Sequence, residues 1–300
     1  MSLNEEIKKK TEAAEKTVLK YMPENSGYAK TVIDAMEYSV RAGGKRLRPV
    51  ILLECYKICG GQDELAEPFA AALEMIHTYS LIHDDLPAMD NDTLRRGQKT
   101  TWVQYGEAMA VLAGDALLNY AYETASKAFF ICKNDDDRLR AAKAFSYLAS
   151  KAGIYGMVGG QCADVECEKN GIAVDKVMLN YIHTHKTGAL LQAAFVIGAI
   201  LAGAGDDVVL KLEKAAENVG MAFQIQDDIL DVTGDEKTLG KNIGSDAVSG
   251  KETYIDLYGL DESVIHVEKY TKAALDIIDD IAGADSFLFR LVKSLVNRKS

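Results

Sequence analysis

The stretch LIHDDLPAMDNDTLRRG, residues 81–97, places four acids and two arginines directly after an apolar segment. The apolar residues recur at helical spacing, so Asp84 and Asp85 are expected at the C-terminal end of a buried helix, where the helix dipole disfavours anions. Pro87 lacks an N–H and restricts the residue before it, so the helix should kink or end there. A turn must then return Asp90 toward the acid pair.

A second acidic stretch, FQIQDDILD at 223–231, bears on the purpose of the first. Asp227 and Asp231 stand at i and i+4, on one face of a helix whose other positions are mostly apolar. Such carboxylates are expected to point into an internal space, and charges are seldom buried unless they are paired or bind metal. Carboxylate oxygens suit Mg²⁺, which also takes water and phosphate oxygens. Either stretch alone could be a solvated acidic loop, but together they indicate two walls of one site.

Length and composition restrict the class of protein. Three hundred residues with 48% apolar content suffice for one large core, and no linker interrupts the chain, so we expect one domain over residues 1–300. The net charge of −11 argues against a nucleic-acid partner. The charged N-terminus lacks an apolar signal core, so a cytoplasmic location is expected. The uncharged run 188–205 is interpreted as a buried helix and not as a membrane span.

Helical periodicity dominates the chain, glycines punctuate it, and there are four prolines. We therefore predict an all-α bundle of about ten or more helices. His183 and His185 would face apart on a helix, so ordinary surface or supporting roles are favoured over a metal pair. The odd number of cysteines, without a CxxC, indicates small core residues in a reducing compartment. They are Cys55, Cys59, Cys132, Cys162 and Cys167.

The two acidic stretches and several further motifs resemble those of the trans-type isoprenyl diphosphate synthases, and within them the bacterial farnesyl diphosphate synthases. The further motifs are GGKRLRP at 43–49, RRG at 95–97, GGQ at 159–161 with Asp164, Lys186-Thr187, Lys241, and Gly250-Lys251 with Thr253-Tyr254. The resemblance implies a single all-α bundle around a central cavity and a homodimer with helices at its interface. It also implies Mg²⁺, as three ions when substrate is bound.

The implied reaction is head-to-tail condensation: an allylic diphosphate ionises, the alkene of isopentenyl diphosphate attacks the cation, and a proton is lost to the released diphosphate. Mg²⁺ would neutralise the leaving group, with Asp84, Asp85, Asp90 and Asp227 as its ligands. The resemblance also assigns catalytic roles to Arg95, Lys186, Thr187, Gln224, Asp228, Asp231 and Lys241. Of these, Thr187 and Gln224 offer oxygen dipoles to the allylic cation.

A separate basic site would bind the diphosphate of isopentenyl diphosphate. Lys45 and Arg48 follow a glycine pair at a plausible helix start, where their side chains could converge on an anion. Alone, this segment would be interpreted as a solvated basic loop. The resemblance places Arg96 and His77 at the same diphosphate, and His77 lies two helical turns before the first acid, about 10.5 Å away.

Product length would be determined one to two turns below the first acid, where Ser80 and Tyr79 lie. By resemblance, the position five residues before that acid limits the chain, and an aromatic ring there is typical of fifteen-carbon producers. Tyr79 could instead be a core aromatic residue. Farnesyl diphosphate is the expected main product, and geranylgeranyl diphosphate is the alternative.

The chain departs from the family pattern after the RRG motif. Relatives usually read Lys-Pro-Thr-x-His there, whereas residues 98–102 read QKTTW, and Thr93 stands where many relatives have Asp. Three other classes are disfavoured. A terpene cyclase would not need the basic site, and a metal-dependent phosphohydrolase would need more histidines at suitable spacing. A non-catalytic partner subunit would be expected to lack one acidic motif.

Overall fold

Helices make up almost all of the regular structure in this computed structural model, which describes residues 2–233 and 252–296. Two single-turn 3₁₀ helices, Gly27–Ala29 and Glu64–Ala66, and a π-helical segment, His183–Thr187, accompany the α-helices. The α-helices are α1 (Leu3–Lys20), α2 (Lys30–Arg41), α3 (Leu47–Ile58), α4 (Glu67–Asp84), α5 (Thr101–Tyr105), α6 (Glu107–Ser126), α7 (Ala128–Ile131), α8 (Asp135–Ala152), α9 (Met157–Asn170), α10 (Lys176–Ile182), α11 (Gly188–Ala202), α12 (Asp206–Thr233), α13 (Tyr254–Tyr258), α14 (Leu260–Ala282) and α15 (Phe287–Val296).

The all-α prediction is confirmed, with one small addition that the sequence did not predict. Strands β1 (Leu94–Arg95) and β2 (Gln98–Lys99) pair antiparallel, with Leu94 opposite Lys99. Arg96 and Gly97 form the connecting turn with φ of 53° and 76°. Positive φ at both central residues is the geometry that two-residue hairpins prefer.

Contacts group the chain into two compact units, Met1–Ser146 with Ile200–Ala202, and Tyr147–Ala199 with Gly203–Ser300. The single domain stays a prediction. In the first unit, α4 is the central helix and packs against α6, α1 and α3. Its residues Phe69, Leu73 and Ile76 are completely buried. A helix that is apolar on nearly all sides belongs in a core, as the spacing before the acid pair predicted.

The second unit is built on the long helix α12, which packs mainly against α14. Ala222 and Ile225 of α12 are fully buried, and Met221 and Ile229 join them in one core cluster with Leu179 of α10. Tyr254, Val267 and Val296 complete that cluster. The second acidic motif therefore belongs to a helix anchored by its apolar residues.

By length and composition, the helical stretch Lys176–Ala202 could cross a membrane. However, 72% of its most apolar 18-residue segment is buried inside the protein. This burial favours the interpretation of a core helix. All five cysteines are free. Cys55 and Cys167 are buried as predicted, but the prediction is wrong for Cys162, which is exposed on α9.

Candidate active site

The acidic loop, defined as residues 84–92, begins where α4 ends. Asp84 is the last residue of α4 and Asp85 caps it, so the predicted helix end before Pro87 is confirmed. The predicted return of Asp90 is also confirmed, because its N–H donates to the carbonyl of Asp84 at 2.9 Å. The side chain of Asp84 is half-buried, that of Asp85 is buried, and that of Asp90 is exposed.

Asp85 and Arg95 form the central ion pair of this loop. Arg95 Nε donates to Asp85 Oδ1 at 2.7 Å. Burial raises the pKa of the Asp85 carboxyl, and although Arg95 opposes the rise, the neighbouring Asp92 and Asp90 add to it. The loop thus carries more negative charge than its arginine compensates, which favours a bound cation.

The donor chemistry of the acidic loop fits magnesium bound together with a substrate. Among residues 2–233 and 252–296, no three Asp, Glu, His or Cys side chains are close enough to hold a metal ion by themselves. The predicted ligands of the first unit, Asp84, Asp85 and Asp90, are therefore not a preformed cluster, and the fourth, Asp227, belongs to the second unit. Mg²⁺ usually keeps several waters and takes one or two carboxylates with substrate phosphate oxygens. The acids present match that requirement.

The hairpin turn brings Arg96 to the glycine pair that precedes α3. Arg96 Nη1 donates to the carbonyl of Gly43. A Cβ on Gly44 would lie 2.6 Å from the Arg96 guanidinium carbon, and Gly44 has a φ of +126°. Only glycine combines that backbone conformation with such a close approach. The glycine pair thus supports an arginine 53 residues away in sequence.

Arg48, His77 and Arg96 form what we call the basic cluster. The pKa of His77 lies well below its usual value because the imidazole is buried and because Arg48 and Arg96 are positively charged. Burial also lowers the pKa of the Arg48 guanidinium; Glu74 opposes this effect and Arg96 adds to it. Arg48 Nε is buried and has no hydrogen-bond partner among the described residues. An anion would relieve this excess of positive charge.

Arg46, which the sequence did not single out, organises the same segment. It caps α3 in a left-handed conformation, with a φ of 46°. Its side chain is almost completely buried and donates to Glu74 at 2.9 Å, to Glu15 at 3.2 Å and to the carbonyl of Val40. Lys45, by contrast, is exposed. The basic residues of the GGKRLRP motif therefore have different surroundings: Lys45 is exposed, whereas Arg46 is buried and already paired with carboxylates.

The second unit positions Lys186 on the π-helical segment. Lys186 Nζ donates to Asp164 of α9. A Cβ on Gly160 would lie 2.1 Å from the backbone nitrogen of Lys186, so this glycine allows α9 to approach the segment closely. His183 is buried and stacks near Tyr254, whereas His185 stacks on Tyr181, so the two histidines face apart as predicted.

A cavity of about 390 Å³ in the second unit brings together several predicted site residues. Lys186, Gln224 and Asp228 line it with Asp164 and His183. Its other walls include Leu179, Ile182 and Val174, which are apolar. Thr187 is half-buried beside Lys186 on the same segment. The cavity therefore combines charged, amide and apolar surfaces.

The three acids of the second motif have different surroundings. Asp228 is buried and accepts a hydrogen bond from the Tyr254 N–H at 2.7 Å. Asp231 is half-buried, and Asp227 is exposed. The prediction that Asp227 points into an enclosed space is therefore wrong, because it is Asp228 that turns toward the core. That the two acidic motifs form one site stays a prediction.

Tyr79 is buried one helical turn before His83, and their rings meet edge to face with centroids 5.7 Å apart. Burial raises the pKa of Tyr79 to about 12, with smaller contributions from Tyr122 and Asp84. The Ser80 hydroxyl donates to the carbonyl of His77 at 2.9 Å. Predicted residues Lys241, Gly250 and Lys251 lie outside the described residues.

Comparison with known proteins identifies the family. The Polyprenyl synthetase family profile matches residues 29–281. The chain belongs to the polyprenyl synthetase family. It is a trans-isoprenyl diphosphate synthase by family, and the resemblance read from the two acidic motifs is confirmed.

Three polyprenyl synthetases illustrate the similarity. The farnesyl diphosphate synthase of Geobacillus stearothermophilus is 43% identical, over 89% of this chain and 90% of its own. The geranylgeranyl diphosphate synthase of Cyanophora paradoxa is 43% identical, over 96% and 94%. A geranyltransferase structure from Helicobacter pylori, complexed with magnesium and isoprenyl diphosphate, is 30% identical with a TM-score of 0.82, covering 99% of this chain and 97% of that one.

These relatives support trans-prenyltransferase activity for the chain. The family is magnesium-dependent, and isoprenyl diphosphates fit as its substrates. Because similar chains include both farnesyl and geranylgeranyl diphosphate synthases, the family assignment leaves the product length open.

Proposed function

We propose that this chain condenses isopentenyl diphosphate head-to-tail with dimethylallyl or geranyl diphosphate, releases diphosphate, and makes farnesyl diphosphate as its main product. The observation that supports the proposal is that the first unit holds two chemically different groups of charged side chains, each suited to one diphosphate. One is the basic cluster, and the other is the acidic loop, which needs a cation before it can bind an anion. An enzyme that joins the carbon chains of two substrates, each carrying a diphosphate, needs a separate site for each diphosphate.

The basic cluster suits a diphosphate that keeps its charge throughout the reaction. Arg48 and Arg96 supply fixed positive charge, and burial keeps His77 neutral, so the imidazole can donate one hydrogen bond to a phosphate oxygen. The exposed Lys45 would reach the anion from solvent. No acid–base step is needed there, because isopentenyl diphosphate reacts through its alkene.

The acidic loop suits the allylic diphosphate, which must leave. Bound Mg²⁺, three ions in the proposal, supplies charge neutralisation of the leaving diphosphate. Asp84, Asp85 and Asp90 would hold it with Asp227, and Arg95 orients Asp85 through their ion pair. Asp231 lies one helical turn beyond Asp227 on α12 and would add a further carboxylate to that side.

Residues of the second unit would act on the allylic cation and on the departing charge. Lys186 is held by Asp164 at the edge of the cavity, where its ammonium can face a phosphate oxygen, and Lys241 is proposed for the same role. Gln224 and Thr187 would direct oxygen dipoles at the cation. Asp228 accepts the Tyr254 N–H and would hold the start of α13 against α12. Apolar walls exclude the water that would otherwise capture the cation.

Product length is the finer part of the proposal. The buried ring of Tyr79 lies five residues before the first acid on α4, about 7.5 Å along the helix axis, and would stop a growing tail. The hydroxyl of Ser80 is already hydrogen-bonded to the helix backbone. Geranylgeranyl diphosphate is the alternative product, since one similar protein is named a geranylgeranyl diphosphate synthase. A homodimer and a cytoplasmic location are proposed on family resemblance.

A pair of variants tests the two-site assignment. Lys45→Ala should raise the KM for isopentenyl diphosphate more than the KM for the allylic substrate. Asp84→Ala should lower turnover by orders of magnitude at saturating Mg²⁺ while leaving the unfolding midpoint in place. Equal effects of Lys45→Ala on both substrates, or near-normal turnover of Asp84→Ala, would refute the assignment.

A further inference from the structure

The carbonyl of Asp92, at the end of the acidic loop, accepts two side-chain hydrogen bonds. Thr100 Oγ1 donates to it at 2.8 Å, and Trp102 Nε1 donates to it at 2.8 Å. A carbonyl oxygen has two lone pairs, so both are used. The Thr100 N–H also donates to the carbonyl of Thr93 at 3.1 Å. The loop end is thus attached to the start of α5.

The other end of the acidic loop is attached to α4. Asp90 N–H donates to Asp84, and Asn91 N–H donates to the carbonyl of Leu86 at 3.1 Å. Asn91 adopts a left-handed conformation with a φ of 55°. A non-glycine residue keeps such a conformation when its surroundings hold it there. Asp90 lies between the two attachments, so both determine where its carboxylate points.

Trp102 is the second residue of α5, and its indole reaches back to the acidic loop. Indole is a hydrogen-bond donor only, so it cannot transfer a proton or ligate a metal. What this side chain provides in the structure is one N–H directed at the acidic loop. We propose that Trp102 is a positioning residue that fixes the acidic loop, and hence the geometry in which Asp90 and Asp85 meet a cation. This deepens the proposed function and rests on its metal-bound diphosphate.

The chain has a single tryptophan, so its intrinsic fluorescence reports on Trp102 alone. The indole is half-buried against the acidic loop. Adding Mg²⁺ with inorganic diphosphate to the wild-type protein should therefore change the tryptophan emission in a saturable way. The same addition to Asp90→Ala should give a much smaller change. An unchanged wild-type emission would overturn the proposal.

Two substitutions separate the N–H from the ring. Trp102→Phe keeps an aromatic ring and removes the donor, so the affinity for Mg²⁺ with inorganic diphosphate, measured by titration calorimetry, should fall about two- to tenfold, as for one lost hydrogen bond. Trp102→His restores an N–H and should recover most of that affinity. The Mg²⁺ concentration for half-maximal rate should follow the same order, with the KM for isopentenyl diphosphate and the melting temperature unchanged.

Unchanged affinity in Trp102→Phe, or loss without recovery in Trp102→His, overturns the positioning role. If Trp102→Phe does not fold, Thr100→Val removes the second donor to the same carbonyl and should give the same loss of affinity; an unchanged affinity there overturns the proposal. If the wild-type protein forms no prenyl product but Trp102→Phe still binds Mg²⁺ with diphosphate more weakly than wild type, the proposed function is refuted and the positioning role is supported.

Discussion

Replacing Arg48 by methionine should stabilise the ligand-free protein and weaken the binding of isopentenyl diphosphate. Methionine keeps an unbranched side chain of comparable length in place. It removes a guanidinium whose Nε has no partner among the described residues and whose positive charge is repelled by that of Arg96. The nearest compensating carboxylate, Glu74, is already bound to Arg46 at 2.9 Å.

The expected sizes follow from that geometry. A buried polar group without a partner costs about 1–3 kcal/mol, so the free energy of unfolding of Arg48→Met should rise by about that amount and its urea midpoint should increase. The charge-assisted hydrogen bonds that Arg48 would make to a diphosphate contribute about 1.5–3 kcal/mol. Their loss should raise the KM for isopentenyl diphosphate about ten- to 150-fold, with little change for the allylic substrate.

Arg46→Met is the matched control two residues away. This guanidinium is more deeply buried than that of Arg48. Its Nε likewise has no partner among the described residues, but its two terminal nitrogens are bonded to Glu74, Glu15 and the Val40 carbonyl. Its removal leaves Glu74 as an uncompensated buried charge, so the protein should lose about 3–5 kcal/mol of stability. Urea unfolding of both variants, with initial rates at varied concentrations of each substrate, gives the comparison. A destabilised Arg48→Met, or one with an unchanged KM for isopentenyl diphosphate, would refute the reasoning.

Three further perturbations test other parts of the site. Tyr79→Ala should lengthen the product by one or more five-carbon units; an active variant that still stopped at fifteen carbons would place the limit elsewhere. Burial lowers the pKa of His183 to about 4, so stability should fall as pH drops from about 6.5 toward 4, by up to about 3 kcal/mol, as the unfolded chain takes up a proton. His183→Gln should remove that dependence and His185→Gln should keep it; equal pH profiles would contradict the assignment. Gly160→Ala should force α9 from the Lys186 backbone, costing about 1–3 kcal/mol and lowering turnover; a wild-type unfolding midpoint would contradict the close approach.

The local features of the acidic loop were predictable because they depend on neighbouring residues. Helical spacing predicted α4, the restriction imposed by Pro87 predicted its end, and the chain reversal that follows returned Asp90 to Asp84. The two acidic motifs and the glycine-rich basic loop sufficed to indicate the family. Periodicity and turn chemistry act within a few residues, so the local structure of this loop could be predicted from them.

The features that were missed depend on tertiary packing. Arg46 and Glu74 are 28 residues apart and meet because α3 and α4 pack together. Asp227 and Asp228 are adjacent acids, so the sequence alone could not establish which one faces the core. The π-helical segment that carries Lys186 differs from an α-helix by one hydrogen-bond register, for which composition has no signal. These features require the three-dimensional structure.

Sizing of the products formed by the pure protein tests the central claim most directly. The protein would be incubated with isopentenyl diphosphate, Mg²⁺ and, in separate reactions, dimethylallyl, geranyl or farnesyl diphosphate. The account predicts fifteen-carbon farnesyl diphosphate from the first two substrates, little extension of the third, and no product when a chelator removes Mg²⁺. Absence of any condensation product, or a reaction that continues without Mg²⁺, would contradict it.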